Sequence, residues 1–353
     1  MVNLKKFKSY AHLAWHLGKS LPRQRDFQKS RLNYFILTAH PDDEILISGL
    51  LQRLAQTGSE HTFLCLSNGS VNHDGNTRVK ELSDALQFVG YEKHLEQRHP
   101  LHVVDEKDIY SAIRGDFDLG DLVSGVVNTV KERIALAQPD HILVPDYSGA
   151  HFVHDLTQLI GVVAVRQYQH ETGKRVQVYE FPQCVLLGAD QYSQEELTDE
   201  LTRLRKPEDA KKKIKPLKIK IIIGEFDPFK KRLPGLHDPE LGLFNGCLAL
   251  NTGELWKKIK HYTAFYQSQA ESLGKYEEAY ALGNVSQEKF RLVPQIRDFN
   301  QRPSAYPLFY EICAWRKFNF SDFRRTVKET GYKPRTMHMP ILPITPTADM
   351  TAP

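Results

Sequence analysis

Five short apolar runs mark the first half of the chain: YFILT (34–38), TFLCLS (62–67), LHVV (101–104), HILVP (141–145) and VQVYEF (176–181). Each has the length and the β-branched and aromatic content of a strand. Between them, apolar residues recur at helical spacing: Ile47, Leu50, Leu51 and Leu54, then Val79, Leu82, Leu86 and Val89, then Val123, Val126, Val130 and Ile134. Apolar strands separated by helices of this length predict an α/β fold: a Rossmann-like, mostly parallel sheet with helices on both faces. In such sheets polar chemistry gathers beyond the carboxyl ends of the strands.

After about residue 190 the pattern changes. QEELTDELTRLRKPEDAKKKIKP predicts an exposed, highly charged helix running into a turn. LKIKIIIGE alternates Leu217, Ile219, Ile221 and Ile223 against Lys218 and Lys220, a strand with one wetter face, and ELWKKIKHYTAFYQSQ (254–269) predicts a helix. The expected organisation is a basic, amphipathic N-terminal segment (1–30), an α/β core (31–190), a C-terminal α/β extension (191–333) and a proline-rich tail (334–353). The extension is expected to shape a pocket or a subunit interface, the latter making the protein a homo-oligomer.

Composition narrows the function. With 353 residues, 41% of them hydrophobic, the chain can bury a sizeable core, and a net charge of +4 favours anionic partners only slightly. The cysteines at 65, 184, 247 and 313 show no CxxC spacing, so neither a thiolate metal site nor a disulfide framework is expected. Together with the lack of a signal-peptide core, this predicts a cytoplasmic protein. No apolar run approaches the roughly 20 residues of a membrane span. The lysines of 203–220 are interleaved with Glu208 and Asp209 and have no aromatic neighbours, which predicts a solvated face and no nucleic-acid partner. Neither GxGxxG nor GxxxxGK[ST] occurs.

One stretch stands apart. Directly after YFILT comes AHPDDE (39–44), a histidine and three acidic side chains at the mouth of an apolar strand. Charge there needs compensation from a metal, from solvent or from nearby basic groups. His40 and Asp43, both at a strand's carboxyl end, supply two-thirds of a His/His/carboxylate metal site. The run HILVP is followed by PDYSGAHFVHDL, so a third ligand is available in His151 or His154, with the other facing substrate. Two neutral imidazoles favour zinc-like metals over magnesium.

The segments AHPDDE after its strand, SNGS closing the second strand, RVKELSDALQFVG (78–90) and AHFVH (150–154) together resemble the zinc-dependent N-acetylglucosaminyl deacetylase family, called PIG-L or LmbE-like. The likeness covers about residues 32–185, with a weaker echo in KKIKHYTAFYQSQ. It implies a Rossmann-like fold without a dinucleotide, a Zn2+ cofactor and a small-molecule or glycoconjugate substrate from which an N-acetyl group is removed. By the same resemblance His40, Asp43 and His154 are the metal ligands, Asp42 is the general base, and His151 stabilises the oxyanion. Arg78 resembles a substrate-contacting arginine, Asn68 joins it in addressing sugar hydroxyls, and Glu81 is structural. Two departures bear on the chemistry. The family's usual His-Pro-Asp-His reads His-Phe-Val-His here, so Val153 replaces an acid that would orient His151, leaving Asp146 or Asp155 for that task. Some members carry a tyrosine where this chain has Gly149; Tyr147 is displaced by two residues. The alternatives to N-deacetylation are a catalytically weakened carbohydrate-binding protein and an amidohydrolase for a different acyl group.

Overall fold

The structure is a computed structural model that describes residues 33–57, 61–71, 73–91, 100–149, 151–187, 192–205, 220–223, 246–250, 264–269, 287–293, 297–303, 308–312 and 318–333, with positions 217, 253, 254 and 258. The basic N-terminal segment, most of the lysine-rich stretch, Tyr262 with much of the helix expected at 254–269, and the proline-rich tail lie outside the described residues.

All five expected strands form: β1 (Tyr34–Thr38), β2 (His61–Ser67), β3 (His102–Val104), β4 (His141–Pro145) and β5 (Gln177–Phe181). They pair in parallel, in the order β3-β2-β1-β4-β5. β1 sits in the middle, with Tyr34 beside His61 on one flank and His141 on the other. The chain winds outward from β1 through β2 and β3, then returns to the other side of β1 with β4. The carboxyl ends of β1 and β4 therefore flank the point where the winding reverses, the place where open α/β sheets form ligand crevices.

The crossovers are helical: α1 (Ser48–Thr57), α2 (Gly75–Phe88), α3 (Glu106–Arg114), α4 (Leu119–Ala137) and α5 (Phe152–Thr172). Strand alternation divides the core between the two sheet faces. Phe35 and Leu37 point to a cluster with Val126, Val130, Phe152 and Leu159, whereas Tyr34 and Ile36 point to one with Leu50, Leu51, Leu82 and Leu86. Full burial of each such side chain contributes about 1.5–3 kcal/mol of transfer free energy, which fixes the register of β1 because a one-residue slip would exchange its two faces.

The C-terminal part completes the same sheet. After the two-stranded pair β6 (Cys184–Leu187) and β7 (Lys220–Ile223) come β8 (Gly246–Ala249) and β9 (Gln287–Leu292); β9 pairs antiparallel with the β5 edge, and β8 pairs antiparallel with β9 beyond it. Buried Glu180 on β5 fastens the junction, accepting from Arg291, from Arg297 at 2.8 Å and from Gln158 of α5. Helix α6 (Gln194–Arg205), expected to be exposed, buries Leu197 and Glu200 on one face. The short α7 (Phe309–Ile312) and α8 (Phe320–Glu329) close the Phe152 side of the core with Tyr310 and Phe323. Among the described residues no helix is long and apolar enough to cross a membrane.

Candidate active site

The loop after β1 folds around its own acids. Asp43 Oδ2 accepts the backbone N–H groups of Ala39 (2.9 Å) and His40 (2.8 Å), which turns its Oδ1 toward His154 Nε2 at 3.2 Å. The predicted helix start is a 3-10 turn, Asp43–Ile47, leading into α1. Asp42 precedes that turn with φ of 116°, a conformation costing a non-glycine residue about 1–3 kcal/mol. Its neighbours hold it there. Glu44 Oε2 accepts the Asp42 N–H (3.0 Å), and Arg78 lies 3.1 Å from Asp42 Oδ2 while also donating to the carbonyls of Pro41 and Gly69.

β4 supplies the other wall. His151 caps α5: its Nδ1 accepts the backbone N–H of Val153 at 3.2 Å. With that lone pair engaged, the neutral ring carries its proton on Nε2. Three residues on, His154 projects from the first turn of α5 to meet His40, Nε2 to Nδ1, at 3.1 Å. The His40 and His151 rings meet edge to face, 4.6 Å between centroids. His40, His151 and His154 each present a ligand atom within 4.8 Å of the others, so the cluster has the donors to hold a divalent metal.

The donor set fits such an ion. His40 Nδ1, His154 Nε2 and the Asp43 carboxylate stand 3.1, 3.2 and 3.8 Å apart, and the edge of a tetrahedron with zinc-type bonds of 2.0–2.1 Å is about 3.3 Å. His154 Nδ1 is buried without a hydrogen-bond partner among the described residues.

Electrostatics separates the two adjacent aspartates. Burial raises the Asp42 carboxyl above the usual range; Arg78 opposes this, while the charges of Asp43 and Glu44 add to it. Burial also acts against Asp43, but the charge and hydrogen bond of His154, with help from His40, outweigh it and hold Asp43 well below the usual range. Desolvation lowers the His40 imidazole despite Glu106. His154 is raised because Asp43, Asp155 and Asp42 overcome its desolvation.

His40, Asp42, Asp43, His151 and His154, expected to carry the chemistry, thus come together. The two residues expected to meet substrate are both buried. Arg78 is buried and its guanidinium holds the AHPDDE loop, and the Asn68 amide is engaged at both ends, donating to Asp105 and accepting from Ser70 N (3.2 Å) and Glu106 N (3.1 Å). Of the proposed orienters of His151, Asp155 Oδ1 takes the N–H groups of Ser148 and Gly149, and Asp146 Oδ1 takes that of Gln183. Val153 packs in the apolar core. Gly149 has φ of 77°, so a side chain there would be strained, and its Cβ would press on Leu308 and Pro303. Tyr147 is buried and donates to the carbonyls of Phe299 (3.2 Å) and Gln301 (2.9 Å). Tyr266 is buried too, donating to Glu44, and Glu81 receives Ser268 N (2.7 Å) and Oγ.

One contributor escaped the sequence reading: Glu106, whose Oε1 faces His40 Nε2 at 3.1 Å. The available signal was position, since the acids of VVDEKD follow a strand just as those of AHPDDE do.

Residues 35–165 match the family model described as PIG-L: GlcNAc-PI de-N-acetylase. The likeness to this family is confined to the core, from β1 through most of α5. No curated protein matches the sequence. Among solved structures, the A40926 pseudoaglycone deacetylase Dbv21 is similar to this chain at 15% identity and a TM-score of 0.43, covering 78% of this chain and 100% of that one. N,N'-diacetylchitobiose deacetylase from Pyrococcus horikoshii is similar at 14% identity and 0.39, covering 81% and 92%. A deacetylase of the teicoplanin biosynthetic pathway gives 14% and 0.41, covering 74% and 97%.

Proposed function

We propose that this protein is a zinc-dependent hydrolase that removes an N-acetyl group from an amino sugar or glycoconjugate. The observation that carries the reading is the convergence of His40 Nδ1, His154 Nε2 and the Asp43 carboxylate from the carboxyl ends of β1 and β4, with Asp42 alongside but held on Arg78. His40, Asp43 and His154 would hold the metal; two imidazoles and a carboxylate suit zinc. When bound, such an ion acidifies water and polarises an amide carbonyl.

The chain's own groups supply the remainder. Asp42 cannot fold back onto the donor cluster, because its φ, the Glu44 acceptor and the Arg78 pair hold it aside. It is the base that takes the proton of the attacking water and returns one to the departing amine, a role for which burial has raised its proton affinity. His151 donates from Nε2 to the oxygen on which negative charge develops. The backbone N–H of Val153 fixes that tautomer, so no neighbouring acid is needed to orient the ring. The same bond distinguishes His151 from the ligands, since an Nε2 that carries a proton does not bind metal.

The test begins with elemental analysis of protein purified without added metal. Near-stoichiometric zinc in the wild type and its loss in His154→Ala are expected; zinc that persists in that variant contradicts the ligand assignment. A panel of N-acetylated amino sugars, nucleotide sugars and lipid- or thiol-linked glycosides is then assayed for acetate. Asp42→Ala, folded and zinc-loaded, should lose at least about a hundredfold in turnover. Release of a different acyl group would keep the mechanism and overturn the acetyl assignment. Binding without turnover, unchanged by Asp42→Ala, would replace the enzyme by a sugar-binding protein.

A further inference from the structure

Glu106 is the first residue of α3, and its side chain is 3% exposed. It arrives from β3, two strands away from β1 in the sheet order. Its backbone N–H is held by Asn68 Oδ1 (3.1 Å), and its Oε1 accepts the Tyr110 hydroxyl from one turn further along α3 at 2.9 Å. The same oxygen lies 3.1 Å from His40 Nε2. A carboxylate can only accept, so the His40 proton resides on Nε2 and the Nδ1 lone pair is directed at His154 and Asp43. The helix N-terminus favours the charged carboxylate that this requires.

We propose that Glu106 is a positioning residue: it fixes the tautomer and ring orientation of His40 and thereby sets the affinity of the donor cluster for a divalent metal. Asn68 and Tyr110 hold Glu106 in turn. The inference rests on the metal-site reading above and assigns a role to Asn68 distinct from substrate contact. A carboxylate behind a ligating imidazole commonly contributes 10–100-fold to metal affinity. Replacing it with an amide removes the charge and also lets an NH2 turn toward the ring, driving the imidazole proton onto Nδ1, where it blocks the metal.

The test measures zinc affinity of the full chain by competition with a chromogenic chelator, for wild type, Glu106→Gln, Glu106→Ala, Tyr110→Phe and His40→Ala, with thermal midpoints recorded alongside. Glu106→Gln preserves shape and serves if the alanine variant fails to fold. Both Glu106 variants should bind zinc about 10–100-fold more weakly, with Tyr110→Phe affected less. In wild-type protein carrying 15N-labelled histidine, the His40 ring proton should be found on Nε2. Wild-type zinc affinity in folded Glu106→Gln, or a His40 proton on Nδ1 in the wild type, overturns the proposal. If His40→Ala loses zinc while Glu106→Gln keeps it, only the role of Glu106 falls; a wild type without affinity for zinc removes the metal-site reading as well.

Discussion

Arg78→Met distinguishes two roles for a residue whose position in the motif suggested contact with substrate. The arginine side chain is 7% exposed and its Asp42 partner 21%. Methionine keeps much of the aliphatic stem but removes the ion pair and both hydrogen bonds, to the carbonyls of Pro41 and Gly69. Breaking a buried pair by deleting one partner costs about 3–5 kcal/mol. Asp42 reaches some solvent and can take up a proton, which places the loss near the lower end, about 3 kcal/mol. That is a large share of a typical 5–15 kcal/mol of stability and still leaves a folded protein. Urea unfolding reads this loss directly. Without Arg78, nothing from α2 holds Asp42 in its strained conformation, so kcat should fall at least tenfold with KM little changed. Arg78→Lys should recover little, because an ammonium cannot form the planar fork that reaches three acceptors. A stability change below about 1 kcal/mol, combined with a raised KM at unchanged kcat, would refute the argument and return Arg78 to the substrate.

Three further outcomes follow from neighbouring contacts. In Gly69→Ala the new Cβ would lie 1.8 Å from Arg78 Nη1 at a φ of +67°; the variant should be destabilised by about 2–3 kcal/mol in urea, with less added cost in an Arg78→Met background where the clash is absent. Tyr266→Phe removes the hydroxyl that donates to buried Glu44 and should cost about 1–3 kcal/mol; wild-type stability would show that the 264–269 segment does not brace the motif loop. The Glu311 carboxyl is opposed by burial but held below its usual range by Arg302 and by the N–H groups of Leu308 and Phe320. Its contribution is therefore present above the ordinary glutamate pKa and disappears as pH falls through the lowered folded value, so the urea midpoint should fall more steeply on acidification in wild type than in Glu311→Gln.

The sequence was most legible where one physical signal dominated. The five parallel strands carry short, largely apolar runs, and the α4 stripe of Val123, Val126, Val130 and Ile134 is buried as its spacing predicts. AHPDDE was legible because burying acids at a strand end demands compensation. What stayed hidden depends on contacts between distant segments. Nothing local announces that Arg78 and Asn68 are buried, that Glu106 reaches His40 across 66 positions, or that the Val153 N–H binds His151 Nδ1. Strands β8 and β9 were hidden for a different reason: GCLA and QEKFRL are short or heavily charged, and they become strands by pairing, β9 with the β5 edge and β8 with β9.

The bracing of the AHPDDE loop also has a consequence for synthesis. Glu288 caps the start of α1, accepting Gly49 N at 2.7 Å and Leu50 N at 2.8 Å, and is itself paired with buried Lys258, which also donates to Leu46 O. A nascent chain that has emerged through β5 and β6 already contains every candidate ligand but none of these late contacts. Roughly a hundred more residues must follow, about 5–20 s at ordinary elongation rates. During that interval the β5 edge is bare and the turn carrying Asp42 lacks its outer supports. The loop's outer bracing is therefore finished from the far end of the polypeptide, and a fragment cut near residue 165 would bear the motif without the contacts from Lys258, Tyr266 and Glu288.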